Sequence, residues 1–228
     1  MKKSMTKAMA LLISMAFLLS AISCATMETP RKTGFLGEYY NKLEQGPKEG
    51  VKWRWMKPGV NYAKYDKVMI DSVIFYFSPE SEDKGIDPVV MKDLADEFNQ
   101  ELVNAVKDKY PIVSEPGPDV MRLKFALTGI RQSRPVLAGA TTVIPVGVAA
   151  SVVKKATTDE WIGSGATEME VMLIDTATNE VVAAGQDQQL AGFTERFSKY
   201  GSAKIAFKYW AHRLRLMMDY VHTTARPE

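Results

Sequence analysis

The sequence predicts one α+β domain in two layers, with a mainly antiparallel sheet of about four to five strands and two long helices on one face. Three observations favour this class. Four segments have the composition of strands, two longer segments carry apolar residues at helical spacing, and a short turn joins the last two strands. The chain has 228 residues, of which 46% are hydrophobic and 25% charged, and this suits a single buried core.

The first three strands are predicted from composition and alternation. A short strand is expected at Trp53 and Trp55, where aromatic and basic residues alternate. Residues 67–77 and 119–130 are rich in β-branched, aromatic and long apolar side chains, which favour strands. The strand at 67–77 is expected to end before Pro79, because proline cannot continue a hydrogen-bonded ladder.

The last two strands are predicted to form a hairpin over 165–175 and 180–190. Between them lie Asp175 and Thr176, which favour the start of a turn, and Asn179, which tolerates a left-handed backbone. The short spacing makes the two strands antiparallel neighbours.

Two helices are predicted at 87–108 and 199–221. The first has Asp87 as its N-cap and Pro88 at the first helical position, followed by a clean apolar stripe. The second begins after Ser198, which can cap it, and its apolar residues also recur at helical spacing. Both stripes are expected to pack on the sheet.

Residues 1–23 are predicted to be a signal peptide, with a basic start and an uncharged apolar stretch too short to span a bilayer. Small residues precede Cys24, as in the lipobox of bacterial lipoproteins, so Cys24 is the expected lipid attachment site; the alternative is an ordinary secretory peptide cleaved near Ala25. It is the single cysteine of the chain, so it has no partner for an intramolecular disulfide. Ala25 follows it, and the expected destination is the outer membrane, facing the periplasm.

After the lipid anchor, residues 24–50 are predicted to be an acylated N-terminus and flexible tether, and residues 51–228 the domain. Removal of Lys2, Lys3 and Lys7 with the signal peptide lowers the basic residues from 29 to 26, against 27 acidic ones. The mature net charge of −1 leaves no overall basic excess for nucleic acid, so no nucleic-acid partner is expected.

An apolar insert at 135–153 interrupts the domain. Its 19 residues carry no charge, and Pro145 interrupts them. We expect a loop with a short helix, packed on the domain or on a second subunit, rather than a transmembrane helix or a barrel hairpin. The expected association surface, toward a second copy or an envelope protein, consists of Val136, Val143, Ile144 and Val148.

Motifs for catalysis, for metals and for nucleotide cofactors are absent from the sequence, so no catalytic residue, cofactor or metal is predicted. His212 and His222 are ten residues apart on one predicted helix, too far along its axis to share a metal. Asp71 is an acid in an apolar strand, and simple alternation toward the polar face explains it. The basic and aromatic residues around Arg54 and Arg213 could stack on nucleic acid or glycan, but core packing by the last helix explains the second set.

Several segments resemble one family of bacterial lipoproteins, called domain of unknown function 3313. They are GFLGEYYNKL (34–43), KPGVNYAKYDKVMID (57–71), FYFSP (75–79), KGIDP (84–88), RPVL (134–137), VIPVG (143–147), FSKYG (197–201) and YWAHRLR (209–215). The resemblance implies a lipoprotein and carries no site residues. The hairpin EVMLIDTATNEVVAAG (170–185) is also similar, at the level of the fold, to curli-secretion lipoproteins and to lipoprotein activators of penicillin-binding proteins.

We therefore predict a non-catalytic lipoprotein, an interaction or assembly module held to the membrane by its N-terminal acyl chains. One alternative is a periplasmic enzyme on cell-wall or glycan substrates that uses a pair of carboxylates. Another is a carrier of a small apolar ligand, which needs an apolar cavity.

Replacing the predicted lipidated residue tests the anchor. Cys24→Ala removes the thiol that accepts the acyl chain, so the variant is expected to leave the membrane fraction or to accumulate as a precursor. Membrane fractionation and the mass of the mature N-terminus measure this outcome. Processing and fractionation identical to the wild type would refute the lipoprotein interpretation.

Overall fold

Two amphipathic helices form one layer of the molecule. The computed structural model describes residues 29–77, 85–134 and 164–224, with Leu137, Ser151 and Lys155 between the last two ranges. Helix α1 spans Pro88–Val106 and helix α2 spans Gly201–Thr224. The predicted cap of α1 is confirmed, since the Asp87 carboxylate accepts a hydrogen bond from the backbone N–H of Val89 at 2.8 Å.

Helix α2 begins slightly later than predicted, at Gly201. Its backbone N–H donates to the backbone carbonyl of Ser198, not to the serine side chain. A Cβ atom at Gly201 would lie 2.2 Å from the backbone oxygen of Glu195. The helix therefore starts where the absence of a side chain lets the preceding turn approach closely. Within the described residues, neither long helix is apolar enough to cross a membrane.

The second layer is a mixed sheet, which in the described residues has seven strands in the order β1-β2-β7-β6-β5-β3, with β4 also paired to β5. The strands are β1 (Glu44–Gln45), β2 (Trp53–Met56), β3 (Lys67–Ile70), β4 (Ile74–Phe75), β5 (Val120–Arg131), β6 (Ala166–Asp175) and β7 (Glu180–Leu190). The α+β class is confirmed, whereas the expected four to five mainly antiparallel strands are corrected to seven mixed ones.

The predicted strand at 67–77 is two short strands, β3 and β4, that both run parallel to β5. They are parallel because helix α1 connects them to β5, and such a crossover returns the chain in the same direction. The ladder breaks between them at Val73, whose backbone N–H donates to the Asn99 side chain on α1 at 3.2 Å.

The hairpin of β6 and β7 is confirmed. Asn179 has the left-handed φ of 56°, and the Asp175 carboxylate accepts from the backbone N–H groups of Ala177 and Thr178. Burial raises the pKa of Asp175, but hydrogen bonds from Lys64, Tyr65 and the Thr178 backbone outweigh it and hold the pKa well below its usual range.

The core lies between the helices and the sheet, as predicted. Phe98 of α1 stacks on Phe207 of α2, with ring centroids 4.7 Å apart, and meets Phe125 of β5 edge-on at 5.3 Å. Trp210 joins this cluster. Both predicted apolar stripes are thus buried against the sheet.

The opposite face of the sheet is covered by residues 29–43, the N-terminal segment. The sequence predicted a flexible tether here, yet Leu36 and Tyr40 are buried and pack with Ala184 of β7. The domain therefore includes a segment that was assigned to the tether, because its apolar residues show no sustained strand or helix period in the sequence.

A buried carboxylate holds the N-terminal segment in place. Glu170 of β6 is fully buried, and its Oε2 atom accepts hydrogen bonds from the Tyr40 hydroxyl at 2.8 Å and the Thr33 hydroxyl at 3.0 Å. Its Oε1 atom accepts from the Gln186 amide at 2.8 Å, and that amide also binds the backbone of Arg31. A buried acid is costly unless its oxygens are satisfied, and here two elements satisfy them.

Removing this carboxylate should release the N-terminal segment. Glu170→Ala leaves three buried donors without their acceptor, so we expect the free energy of unfolding to fall by about 2–4 kcal/mol, measured by urea denaturation. Trypsin should then cut after Arg31 and Lys32 in the otherwise folded protein.

The matched control is Glu168→Ala, two residues away on the same strand. Glu168 pairs with the partly exposed Arg31, so its loss should cost less than about 1 kcal/mol. Equal effects of the two variants would contradict the role assigned to Glu170.

The same residue predicts a pH dependence. Burial raises the pKa of Glu170 above its ordinary 4.5, and hydrogen bonds from Tyr40, Gln186 and Thr33 offset this only in part. The folded chain keeps a proton that the unfolded chain loses, so this contribution to stability is present below pH 4.5 and is lost as pH rises through the raised pKa. Glu170→Gln cannot ionise. The stability of this variant relative to the wild type should therefore increase as the pH rises above 4.5, and a constant difference in urea denaturation would contradict this expectation.

Candidate binding cleft

An apolar cleft lies between helix α2 and the part of the sheet formed by β6, β7 and β2. Its volume is about 650 Å³. Two helices side by side cover roughly 20 Å, the width of about four strands, whereas six strands lie side by side in this sheet. The edge with β2 and β1 therefore extends beyond α2, and the cleft is the space at that overhang.

Small and branched side chains form the floor of the cleft. On β6 they are Val171 and Leu173, which lie opposite Gly185 and Ala183 of β7. A Cβ atom at Gly185 would lie 3.1 Å from Val51 and 3.3 Å from Val171. The glycine thus lets the Val51 and Val171 side chains approach this strand closely, and a larger residue would crowd them.

Helix α2 forms the wall of the cleft with Trp210, Leu214 and Met217. The indole of Trp210 is fixed, because its N–H donates to the buried Asp187 carboxylate of β7 at 2.8 Å. Leu216 and Tyr220 lie at the mouth, with exposed fractions of 44% and 67%. Large apolar side chains in water beside an apolar space favour the binding of something apolar there.

The loop at 46–52 between β1 and β2, here called the hairpin loop, closes one side of the cleft. It is tied back on itself by the hydrogen bond from the Gly46 N–H to the Lys52 carbonyl, at 2.8 Å. A Cβ atom at Gly46 would lie 1.9 Å from the Val51 carbonyl oxygen, so only glycine fits. Glu49 at the loop tip pairs with Arg213 of α2 at 3.0 Å, and this ion pair joins the loop to the helix.

Three charged side chains line the mouth: Arg54, Arg213 and Glu49. Glu49 is the single carboxylate among the described lining residues, and it is occupied by Arg213. The pair of acids that the enzyme alternative requires is not found in this cleft, and that alternative stays a hypothesis. In the described part of the chain, no group of three or more His, Cys, Asp and Glu side chains could hold a metal ion.

The residues singled out from the sequence have different outcomes. Asp71 accepts from the Arg122 guanidinium at 2.8 Å, which agrees with a polar-face position. His222 lies in α2, with its Nδ1 atom 2.6 Å from the Met218 carbonyl oxygen, and His212 lies on the same helix. The lipid attachment site and the expected association surface fall outside the described residues: Cys24, Val136, Val143, Ile144 and Val148. Those assignments stay predictions.

Sequence reasoning missed the cleft and its charged residues. The alternation of aromatic and basic residues around Arg54 was visible, and so was Arg213, but the helix residues were explained by core packing. Trp210 and Leu214 do belong to the core, whereas Arg213 lies on the neighbouring stripe of the helix and reaches the cleft. The feature of the sequence that could have indicated a binding site was Arg54, a cation between the two partly exposed tryptophans of β2, Trp53 and Trp55.

These features define a class of protein: an α+β domain with an apolar cleft between one long helix and the sheet. The description "Protein of unknown function (DUF3313)" matches residues 31–214, and the chain belongs to this family. The match begins in the N-terminal segment and ends in α2. It therefore includes the segment on one face of the sheet and, on the other face, all of α1 and the first half of α2. The resemblance stated from the sequence is confirmed.

One curated relative supports the lipoprotein class. The "Uncharacterized lipoprotein YdcL" of Escherichia coli K12 is 27% identical over 192 residues, which cover 81% of this chain and 85% of the relative. The protein of the same name in Escherichia coli O157:H7 matches to the same extent. The name of this relative agrees with the lipoprotein class predicted from the sequence, while the lipid anchor at Cys24 and the choice of membrane stay predictions.

Two solved structures are similar over most of their length. One is a PelC dodecamer from Paraburkholderia phytofirmans, with a TM-score of 0.39, 14% identity, and coverage of 72% of this chain and 94% of that one. The other is protein XCC0632 from Xanthomonas campestris, of family DUF330, with a TM-score of 0.39, 11% identity, and coverage of 69% and 86%.

Proposed function

We propose that this protein is a non-catalytic binding module, anchored by its acyl chains in the outer membrane and facing the periplasm, whose binding site is the apolar cleft. The observation that carries the proposal is the cleft itself. Its floor and wall are apolar, its volume is within the range of small-molecule sites, and large apolar side chains remain exposed at its mouth.

The chemistry of the lining supports binding over catalysis. The interior presents hydrocarbon and aromatic groups from β6, β7 and α2. The nearby buried acid Asp187 does not line the cleft, and it accepts the hydrogen bond that fixes Trp210. Catalysis by general acid and base needs titratable groups within reach of a substrate. Binding needs only a preformed apolar surface, and this cleft supplies one.

The position of the N-terminal segment supports action close to the membrane. Arg31 is held on the sheet by Gln186, and it follows Cys24 by seven residues in the chain. Even fully extended they reach only about 25 Å. A domain anchored at Cys24 is therefore kept within that distance of the bilayer surface, where apolar ligands are found.

Filling the cleft tests the proposal. Val171 lines the cleft, so in Val171→Trp the larger indole takes up cleft volume, and we expect roughly a tenfold loss of labelling by hexadecanol that carries a diazirine group. The full lipoprotein is placed in phosphatidylcholine vesicles, and labelled peptides are mapped by mass spectrometry. In the wild type, labels are expected on β2 and on the second half of α2.

The control is Val89→Trp, the same substitution at a position of α1 that is 68% exposed. It should leave labelling unchanged, and both variants should keep a thermal midpoint close to that of the wild type. Undiminished labelling of the cleft peptides in a folded Val171→Trp variant would overturn the proposal.

A further inference from the structure

Arg54 is a cation in the cleft that the fold itself does not use. It lies on β2 opposite Gly185 of β7, it lines the cleft, and it is exposed. In the part of the chain that the structure describes, its guanidinium makes neither a hydrogen bond nor an ion pair. Glu44, its neighbour on β1, does not line the cleft and is not bonded to it. An arginine above an apolar floor with all five donors available is a ready site for an anion.

The second cation at the mouth is used differently. Arg213 binds Glu49 of the hairpin loop and lies over the ring of Tyr209, 5.0 Å from its centroid. Its charge is largely balanced by that carboxylate, and its role is to hold the loop against α2. Arg213 therefore has a structural role at the mouth of the cleft, and Arg54 is the cation that can bind a ligand there.

We infer that the cleft binds a single-chain amphiphile with an anionic head group, whose chain lies under α2 and whose head group binds Arg54. This inference rests on the proposed function and names its ligand class. Each methylene buried on the apolar floor contributes favourably. The guanidinium pairs with a carboxylate or phosphate through two parallel hydrogen bonds. A volume of about 650 Å³ suits one chain, not a whole two-chain lipid.

The test compares an anionic and a neutral probe of the same length. Palmitate and hexadecanol, each with a diazirine near the chain end, are offered to the full lipoprotein in phosphatidylcholine vesicles. We expect palmitate to label the cleft peptides more strongly than hexadecanol. Arg54→Gln should reduce palmitate labelling about fivefold, in keeping with a partly exposed charge pair, and should leave hexadecanol labelling unchanged.

Two further variants separate direct contact from general charge. Lys48→Gln removes a positive charge from the hairpin loop that precedes β2, at an exposed residue that does not line the cleft, and it should have no effect. Arg54→Lys keeps the charge and should restore part of the palmitate labelling. Added salt should weaken palmitate labelling in the wild type and not in Arg54→Gln.

The outcomes distinguish the two proposals. If both probes label the cleft equally and Arg54→Gln changes neither, the head-group inference is overturned while the proposed function stands. An equal loss in Lys48→Gln and Arg54→Gln would also overturn it, since a long-range field would then explain the preference. If neither probe labels the cleft in the wild type, both proposals fail together.

Discussion

The width of the sheet is the constraint on which the rest of the structure depends. A sheet of six adjacent strands has two faces to cover, and two helices can cover only about four strands of one face. On the helical face, the core around Phe98 and Phe207 is closed and the β2 edge is not. On the other face, no α-helix of the described chain is available, and the N-terminal segment, with a short 3-10 helix at Gly37–Lys42, provides the cover through Leu36 and Tyr40. The cleft and the packed N-terminal segment therefore have one cause: two long helices are too few to cover both faces of a sheet of this width.

The buried Glu170 links this architecture to the membrane. A carboxylate in a fully buried position is tolerated only when its oxygens are satisfied. Tyr40 and Thr33 satisfy one oxygen from the N-terminal segment, and Gln186 satisfies the other from β7. The segment that leads back to Cys24 is thus attached at a defined point of the sheet, on the face opposite the cleft. A lipid anchored there would position the domain as well as retain it.

The sequence predicted the elements better than it predicted their arrangement. Both helices and the hairpin follow local rules: Asp87 caps α1, Asn179 supplies the left-handed turn, and the apolar stripes have a clear helical period. The parallel pairing of β3 and β4 with β5 was not predicted, although the helix that lies between them in the chain favours it. The break between β3 and β4 at Val73 could not be predicted from the local sequence, since it depends on a hydrogen bond to Asn99 of α1.

The covering segment and the cleft were hidden for a different reason. Residues 29–43 show no sustained strand or helix period, and their packing on Ala184 and hydrogen bonds to Glu170 show that they belong to the domain. On α2, core and cleft residues alternate around the helix, and a sequence stripe cannot separate a residue that touches the sheet from one that faces an overhang. Arg54 and Gly185 are neighbours only through the pairing of β2 with β7. Such sites come from register between strands far apart in the chain, and single-sequence patterns do not report register.

Contacts of α2 and of the hairpin loop keep the cleft open. An apolar space should collapse if the surrounding elements can move together, because burial of the exposed surface is favourable. Here α2 is fixed by its own core stripe and by the hydrogen bond of Trp210 to Asp187, while the hairpin loop is held at Gly46 and by the pair of Glu49 with Arg213. The floor cannot fill the cleft, since Ala183 and Gly185 have side chains too small to reach into it. The same contacts that close the core on one stripe of α2 therefore leave a rigid, apolar cleft beside the next stripe.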